Sequence, residues 1–358
     1  MKKKLWFWLT AILLLSIAVA FYGYRTHTGQ GSPERNDVLV MMPAEASAVI
    51  FVDFNELRTA PFFAKLYAWA PKPQADPDYA QFLKDTGFDY ERDLTRLAIA
   101  FEERGQDSAF FAVADGKFDK SKITGVATKT GTLSKTEAHE VFSVPVNGSR
   151  NRISFTFLRS DRIALTDGTN LVSLLAAKKR EADSGDWRPR FERLAGSPIF
   201  AVIRQDAAAG AALAQRTPGG LRSPQLSSLL DQLQWITVAA KPESDRLQVV
   251  AEGECIAEAT SHQLADVLNG IALLASEGLN DAKTRQQLDP ALRGAYLDLL
   301  KSAAISTINR GDTKSVRLAF EITPAFLEAA SRSPSALPGG ASPKPAPGNT
   351  ARSKKGHT

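Results

Sequence analysis

A single cysteine, Cys255, in 358 residues excludes a disulfide framework and any thiolate-rich zinc cluster within one chain. Histidine is nearly as scarce. Of four, His27 and His357 lie near the chain ends, which leaves His139 and His262 for a folded site and excludes a histidine-dominated metal centre, although carboxylates can add ligands. Site-forming motifs are missing too: there is no G-x-G-x-x-G after a strand, no P-loop, no H-E-x-x-H, no calcium loop and no G-x-S-x-G. No cofactor or metal is expected on these grounds. Nor is there a basic stripe. The net charge is +5, yet Lys2, Lys3, Lys4 and Arg25 stand without an acid in residues 1–25, and Arg332, Lys344, Arg352, Lys354 and Lys355 do so in residues 332–358. The body between them is therefore mildly acidic, and nucleic acid is excluded as a partner.

What is present begins with an uncharged run from Leu5 to Tyr24, preceded by three lysines. As a helix it is about 30 Å long, the thickness of a bilayer's hydrocarbon core. Trp6, Phe7 and Trp8 at one end and Phe21, Tyr22 and Tyr24 at the other fit interfacial belts, and the lysines place the N-terminus in the cytoplasm. The competing reading is a signal segment cleaved after Ala18-Val19-Ala20. Either way the body is expected on the periplasmic, extracytoplasmic side of a bacterial cytoplasmic membrane, with the bilayer contacted through residues 5–24. No cysteine lies near the segment, so a lipoprotein anchor is excluded.

The whole chain is 44% hydrophobic and 23% charged, ordinary values for folded domains, which excludes a multi-span transporter or wholesale disorder. Five segments are expected. They are a membrane anchor or signal segment (1–25), a linker (26–43) that begins with small polar residues and ends in an apolar lead, Val38 to Met42, into the first domain, a first α+β repeat (44–185), a second (186–331), and a basic Pro-rich tail (332–358) whose composition predicts disorder. The tail is suited to an anionic envelope polymer, a lipid surface or an envelope protein.

Within the body, short β-type runs alternate with helical ones, and the order occurs twice. The first half reads as strand 48–52, helix 56–69 capped by Asp53 or Asn55, hairpin 97–101 and 109–114, helix from Asp119 to Gly131, hairpin 141–146 and 153–158 through Asn147-Gly148, strand 162–166 and helix 170–179. The second reads as strand 198–204, an alanine-rich helix from Asp206, a helix 224–233, hairpin 235–240 and 246–255 around KPESD, helices 257–276 and 290–301, strands 305–309 and 315–322, and helix 324–330. The expected architecture is α+β: an N-terminal transmembrane helix and two tandem repeats, each an antiparallel sheet with helices packed on one face. The alternative is one long sheet continuous across both halves.

The stretches Met42 to Leu57 (MPAEASAVIFVDFNEL), Gly87-Phe88-Asp89 with Asp93-Leu94, and Ala114-Asp115-Gly116-Lys117-Phe118-Asp119 resemble a group of exported, mostly uncharacterised bacterial proteins that carry a domain of unknown function. That resemblance covers roughly residues 42–179 and departs in having Glu45 where the group has aspartate. It implies an exported α+β body and supplies no catalytic residues.

Few side chains are candidates for a site or a partner surface. Asp53, at a strand end, is foremost a helix cap, and Asp89 and Asp93, in a cluster with Asp85 and Glu91, read foremost as turn and cap residues, although all three can serve a carboxylate-based site. Trp187, beside Arg188 and Arg190, is a candidate partner contact unless it packs on the following Phe191. Cys255 and His262 are spaced like a nucleophile and base, but Cys255 shares a strand face with Leu247, Val249 and Ala251, which predicts burial. The expectation is a membrane-anchored binding or scaffold protein of the cell envelope without catalysis. The alternatives are an envelope hydrolase or metal-dependent enzyme using carboxylates, and a carrier of a lipid or apolar ligand.

Overall fold

The computed structural model describes residues 33–69, 77–104, 107–145, 152–167, 170–181, 186–205 and 228–332. The expected membrane span, the Asn147-Gly148 link, the alanine-rich helix from Asp206 and the tail lie outside them. No described helix is long and apolar enough to cross a membrane.

Twelve strands form one antiparallel sheet. They are β1 (Ala48–Asp53), β2 (Leu94–Arg104), β3 (Asp107–Gly116), β4 (Thr132–Lys135), β5 (Glu140–Pro145), β6 (Arg152–Arg159), β7 (Arg162–Thr166), β8 (Ile199–Arg204), β9 (Leu233–Glu243), β10 (Arg246–Cys255), β11 (Ala304–Arg310) and β12 (Thr313–Ile322). At the centre β1 pairs with β8, Ile50 opposite Ala201. Both are unbroken apolar runs because both faces of a central strand are buried. Val49, Phe51, Phe200 and Val202 enter one core, with Phe51 stacked on Phe200 at 5.2 Å, while Ile50, Val52, Ile199 and Ala201 enter another.

The sheet is therefore covered on two faces, a correction to the expectation of helices on one. On the front, α1 (Pro33–Leu39), α7 (Leu171–Glu181) and α8 (Arg188–Arg193) contribute Val38, Leu39, Leu171, Leu175 and Phe191. On the back, α2 (Phe54–Thr59) and α3 (Pro61–Trp69) supply Leu57, Phe62 and Phe63. The single helix expected over 56–69 is divided at Ala60, which takes an extended conformation ahead of Pro61 as residues before proline do. Short helices α4 (Pro77–Thr86) and α5 (Tyr90–Asp93) precede β2, and α6 (Lys120–Thr130) follows β3, capped by Asp119 and ended at Gly131. α9 (Glu258–Asn280) covers Cys255 and Val316 with Leu264 and Ala265; α10 (Ala282–Gln287), α11 (Pro290–Ser302) and α12 (Pro324–Arg332) complete the back layer.

Outward from the centre, one half of the sheet runs β1, β2, β3, β7, β6 and the other β8, β9, β10, β12, β11. Each half is a three-strand meander whose third strand is joined by the second strand of a later hairpin. The first half adds β5 and β4 at its edge, the latter absent from the sequence reading. Backbone pairing of β1 with β8 makes the two halves one sheet. Part of the expected linker is core: α1 brings Val38 and Leu39 inside, followed by Met41 and Met42. In the KPESD segment only Ser244 and Asp245 lie between strands. Ser244 takes a positive φ of 57° there, and Pro242 sits past Ala240, the last β9 residue paired with β8.

Candidate functional site

Asp53 ends β1 with both carboxylate oxygens engaged. Oδ1 accepts from the Glu56 amide at 3.1 Å, capping α2, and Oδ2 accepts from Arg96 Nε at 3.0 Å. Asp89 and Asp93 belong to a different structure. Asp89 Oδ1 caps α5 through the Glu91 amide at 3.0 Å and accepts from the Tyr79 hydroxyl at 3.2 Å, while Asp93 Oδ2 accepts from the Asp89 amide at 3.0 Å. The hydrogen bond from the Arg92 guanidinium holds the Asp93 carboxyl down to about 2. The turns around these residues meet each other. Phe88 stacks on Phe118 at 5.0 Å, the Lys117 amide donates to the Asp93 carbonyl at 2.9 Å, and a Cβ on Gly116 would lie 2.8 Å from that carbonyl. Gly87 sits at φ 72°, the left-handed region. The Gly-Phe-Asp and Gly-x-Phe segments thus form one folded knot, and no hydrogen bond or ion pair among the described residues joins its carboxylates to Asp53.

Trp187 is core and packs on Phe191, the alternative that its sequence left beside a partner contact. It is 5% exposed, its Nε1 donates to the Ala44 carbonyl at 3.1 Å, and its ring stacks on Phe191 and meets Trp235 edge-on at 4.9 Å. Cys255 is buried on the back face, where burial pushes its thiol up, and His262 lies exposed on α9. Among the described residues no three His, Cys, Asp or Glu side chains group to hold a metal ion.

The sequence reading missed two charged networks on the front face. In the first, Asp53, Arg96, Asp115 and Arg162 stand directly opposite one another across β1, β2, β3 and β7. Arg162 grips Asp115 through Nε at 2.5 Å and Nη2 at 2.8 Å, with both residues 5% exposed. Arg96 also reaches Glu34 of α1 at 3.2 Å. In the second, Glu252 and Glu254 of β10, each 3% exposed, are held by Arg190 and Arg193 of α8 and Arg310 of β11. The Arg190 guanidinium lies 4.0 Å over the Trp235 ring. Burial pushes the Glu252 carboxyl up, but Arg310, Arg193 and Arg317 outweigh it and leave it below the usual carboxylate range. The available signal was a charged residue interrupting the apolar face of a strand, as in Phe111-Val113-Asp115 and Val250-Glu252-Glu254.

No family model matches the chain, and no curated protein does. Among solved structures, crystal form III of TP0453 aligns over 83% of this chain and 98% of its own at 12% identity and a TM-score of 0.44, and crystal form I over 83% and 97% at 13% and 0.42. Neither value assigns a family.

Two cavities among the described residues bear on a ligand. One, of about 260 Å³, lies between α11 and α12, where Ala291, Gly294, Ala295 and Ala329 leave space beneath Asp298 and Glu328. The other, of about 250 Å³, opens beneath α7 and is lined by Met41, His139, Leu158, Arg159, Arg162 and Leu175. Each is just below the roughly 300–1,000 Å³ of drug-sized ligand sites. Chemically, the networks brace: their carboxylates accept from guanidinium or amide groups that tie strand to strand and strand to helix.

Proposed function

We propose that the chain is a non-catalytic binding or scaffold protein of the bacterial cell envelope, held at the cytoplasmic membrane by residues 5–24 with its body on the extracytoplasmic side. The observation that carries this reading is the use made of buried charge. Asp115, Glu252 and Glu254 are consumed in holding strands and helices to one another, the half-buried Asp53 joins β1 to β2, and Asp93 closes its own turn through Arg92 and the Asp89 amide. The lysine-flanked apolar run supports the placement, and the matching strand order of the two halves supports an internal duplication. Contact area for a partner is offered on α9, where Leu273 and Leu274 are 64% and 72% exposed. The basic tail offers a second contact, to an anionic polymer or an envelope protein.

Native mass spectrometry of the chain extracted from its own membrane with a mild detergent tests the reading. It predicts an intact mass that includes residues 1–20 and a stoichiometric protein partner lost with Leu273→Ser/Leu274→Ser. Turnover of a peptide, glycan or ester that disappears on changing one buried carboxylate contradicts it.

A further inference from the structure

We infer that the cavity beneath α7 binds a small organic anion, one oxyanionic head carried on a short apolar body. Its decisive residue is Arg162. The side chain is buried and its Nε and Nη2 are committed to Asp115, yet no described residue accepts from Nη1, and the guanidinium lines open space. The open space leaves Nη1 to water or to a ligand, and a guanidinium bonds an oxyanion more strongly than a neutral acceptor. Arg159 adds a second guanidinium at an exposed position, with its Nε on Asp161 at 3.2 Å, and the half-buried imidazole of His139 adds a further polar group.

The remaining lining, Met41, Leu158 and Leu175, is apolar, so a ligand that offers only charge leaves it unsatisfied. A volume of about 250 Å³ admits a ring or a short chain and excludes a nucleotide or a long acyl chain. Local acids set the strength. Asp115 most of all, then Asp37 of α1 and Asp161, act on the Arg162 guanidinium and raise it above its ordinary value. They cancel much of the attractive field, so recognition rests on directed hydrogen bonds and apolar fit, and the affinity is modest.

The test uses the full-length chain in lipid nanodiscs, with para-fluorobenzoate as probe and para-fluorobenzyl alcohol as its uncharged counterpart. Fluorine NMR linewidths are read against empty nanodiscs. Saturable broadening is expected for the benzoate, with the alcohol at least roughly tenfold weaker, the effect of losing one charge-assisted contact. Arg159→Gln should weaken the benzoate several-fold, and Leu175→Trp, which fills the cavity, should abolish its binding. Should Leu175→Trp fail to fold, His139→Trp obstructs the same space from a less buried position. No saturation overturns the inference, as does saturation that survives both obstructing variants. Equal binding of the alcohol also overturns it, since the cavity is then an apolar crevice with no anion preference.

Discussion

Asp115 and Arg162 face each other across β3 and β7 with almost no exposure, so removing one strands the charge of the other. Asp115→Ala should cost about 3–5 kcal/mol in chemical denaturation, whereas Asp115→Leu combined with Arg162→Met should recover most of that loss. A neutral single variant would show that water reaches the pair. Asp93 gives a pH-dependent counterpart. Its carboxyl titrates at about 2 in the folded chain, against about 3.9 when unfolded. Its contribution is therefore complete above about pH 4 and fades as pH falls toward 2. Urea midpoints of the parent chain and Asp93→Asn should differ at pH 6 and converge near pH 2; a constant difference would contradict the assignment. Asp53, Asp89 and Asp119 were legible as caps because a cap is a local bond, three residues or fewer away in the chain. The ladder was not, since Arg96 follows Asp53 by 43 residues and Arg162 follows Asp115 by 47, and only sheet register brings them opposite.

Arg35 shows how an element joins the body. Its buried guanidinium lies over the stacked pair Phe51 and Phe200, 4.9 and 4.7 Å from their ring centroids, and donates to the carbonyls of Leu194 at 2.7 Å, Ser197 at 3.1 Å and Ala195. Burial lowers its pKa to about 10. It thereby ties α1 to the segment following α8. Arg35→Met keeps the apolar stem and strands three carbonyls, so a loss of about 2–4 kcal/mol is expected, together with faster proteolysis ahead of β1. Unchanged protection there would mean that Val38, Leu39, Met41 and Met42 alone hold the segment. Sequence periodicity located most strands and helices within a few residues, and the resemblance motifs marked the knot of Phe88 and Phe118. It missed α1, whose apolar residues read as a lead into the first strand. It also missed the front layer, because an unbroken run such as AVIFV signals two buried faces without saying what covers the second.

At the scale of the whole molecule, the two halves read in the sequence are two ends of one sheet joined at β1 and β8, with a charged network on the front of each half. Element order was legible because it is local; continuity was not, because pairing between residues about 150 apart leaves no periodic trace. The proposed function places this braced body outside the cytoplasmic membrane. Cys255 is the only native thiol and is buried, so an added cysteine reports alone. A membrane-impermeant maleimide applied to intact spheroplasts should label Glu137→Cys, at an exposed turn between β4 and β5, and should label Lys4→Cys only after lysis. Labelling of Glu137→Cys that also waits for lysis would place the body in the cytoplasm and contradict the account.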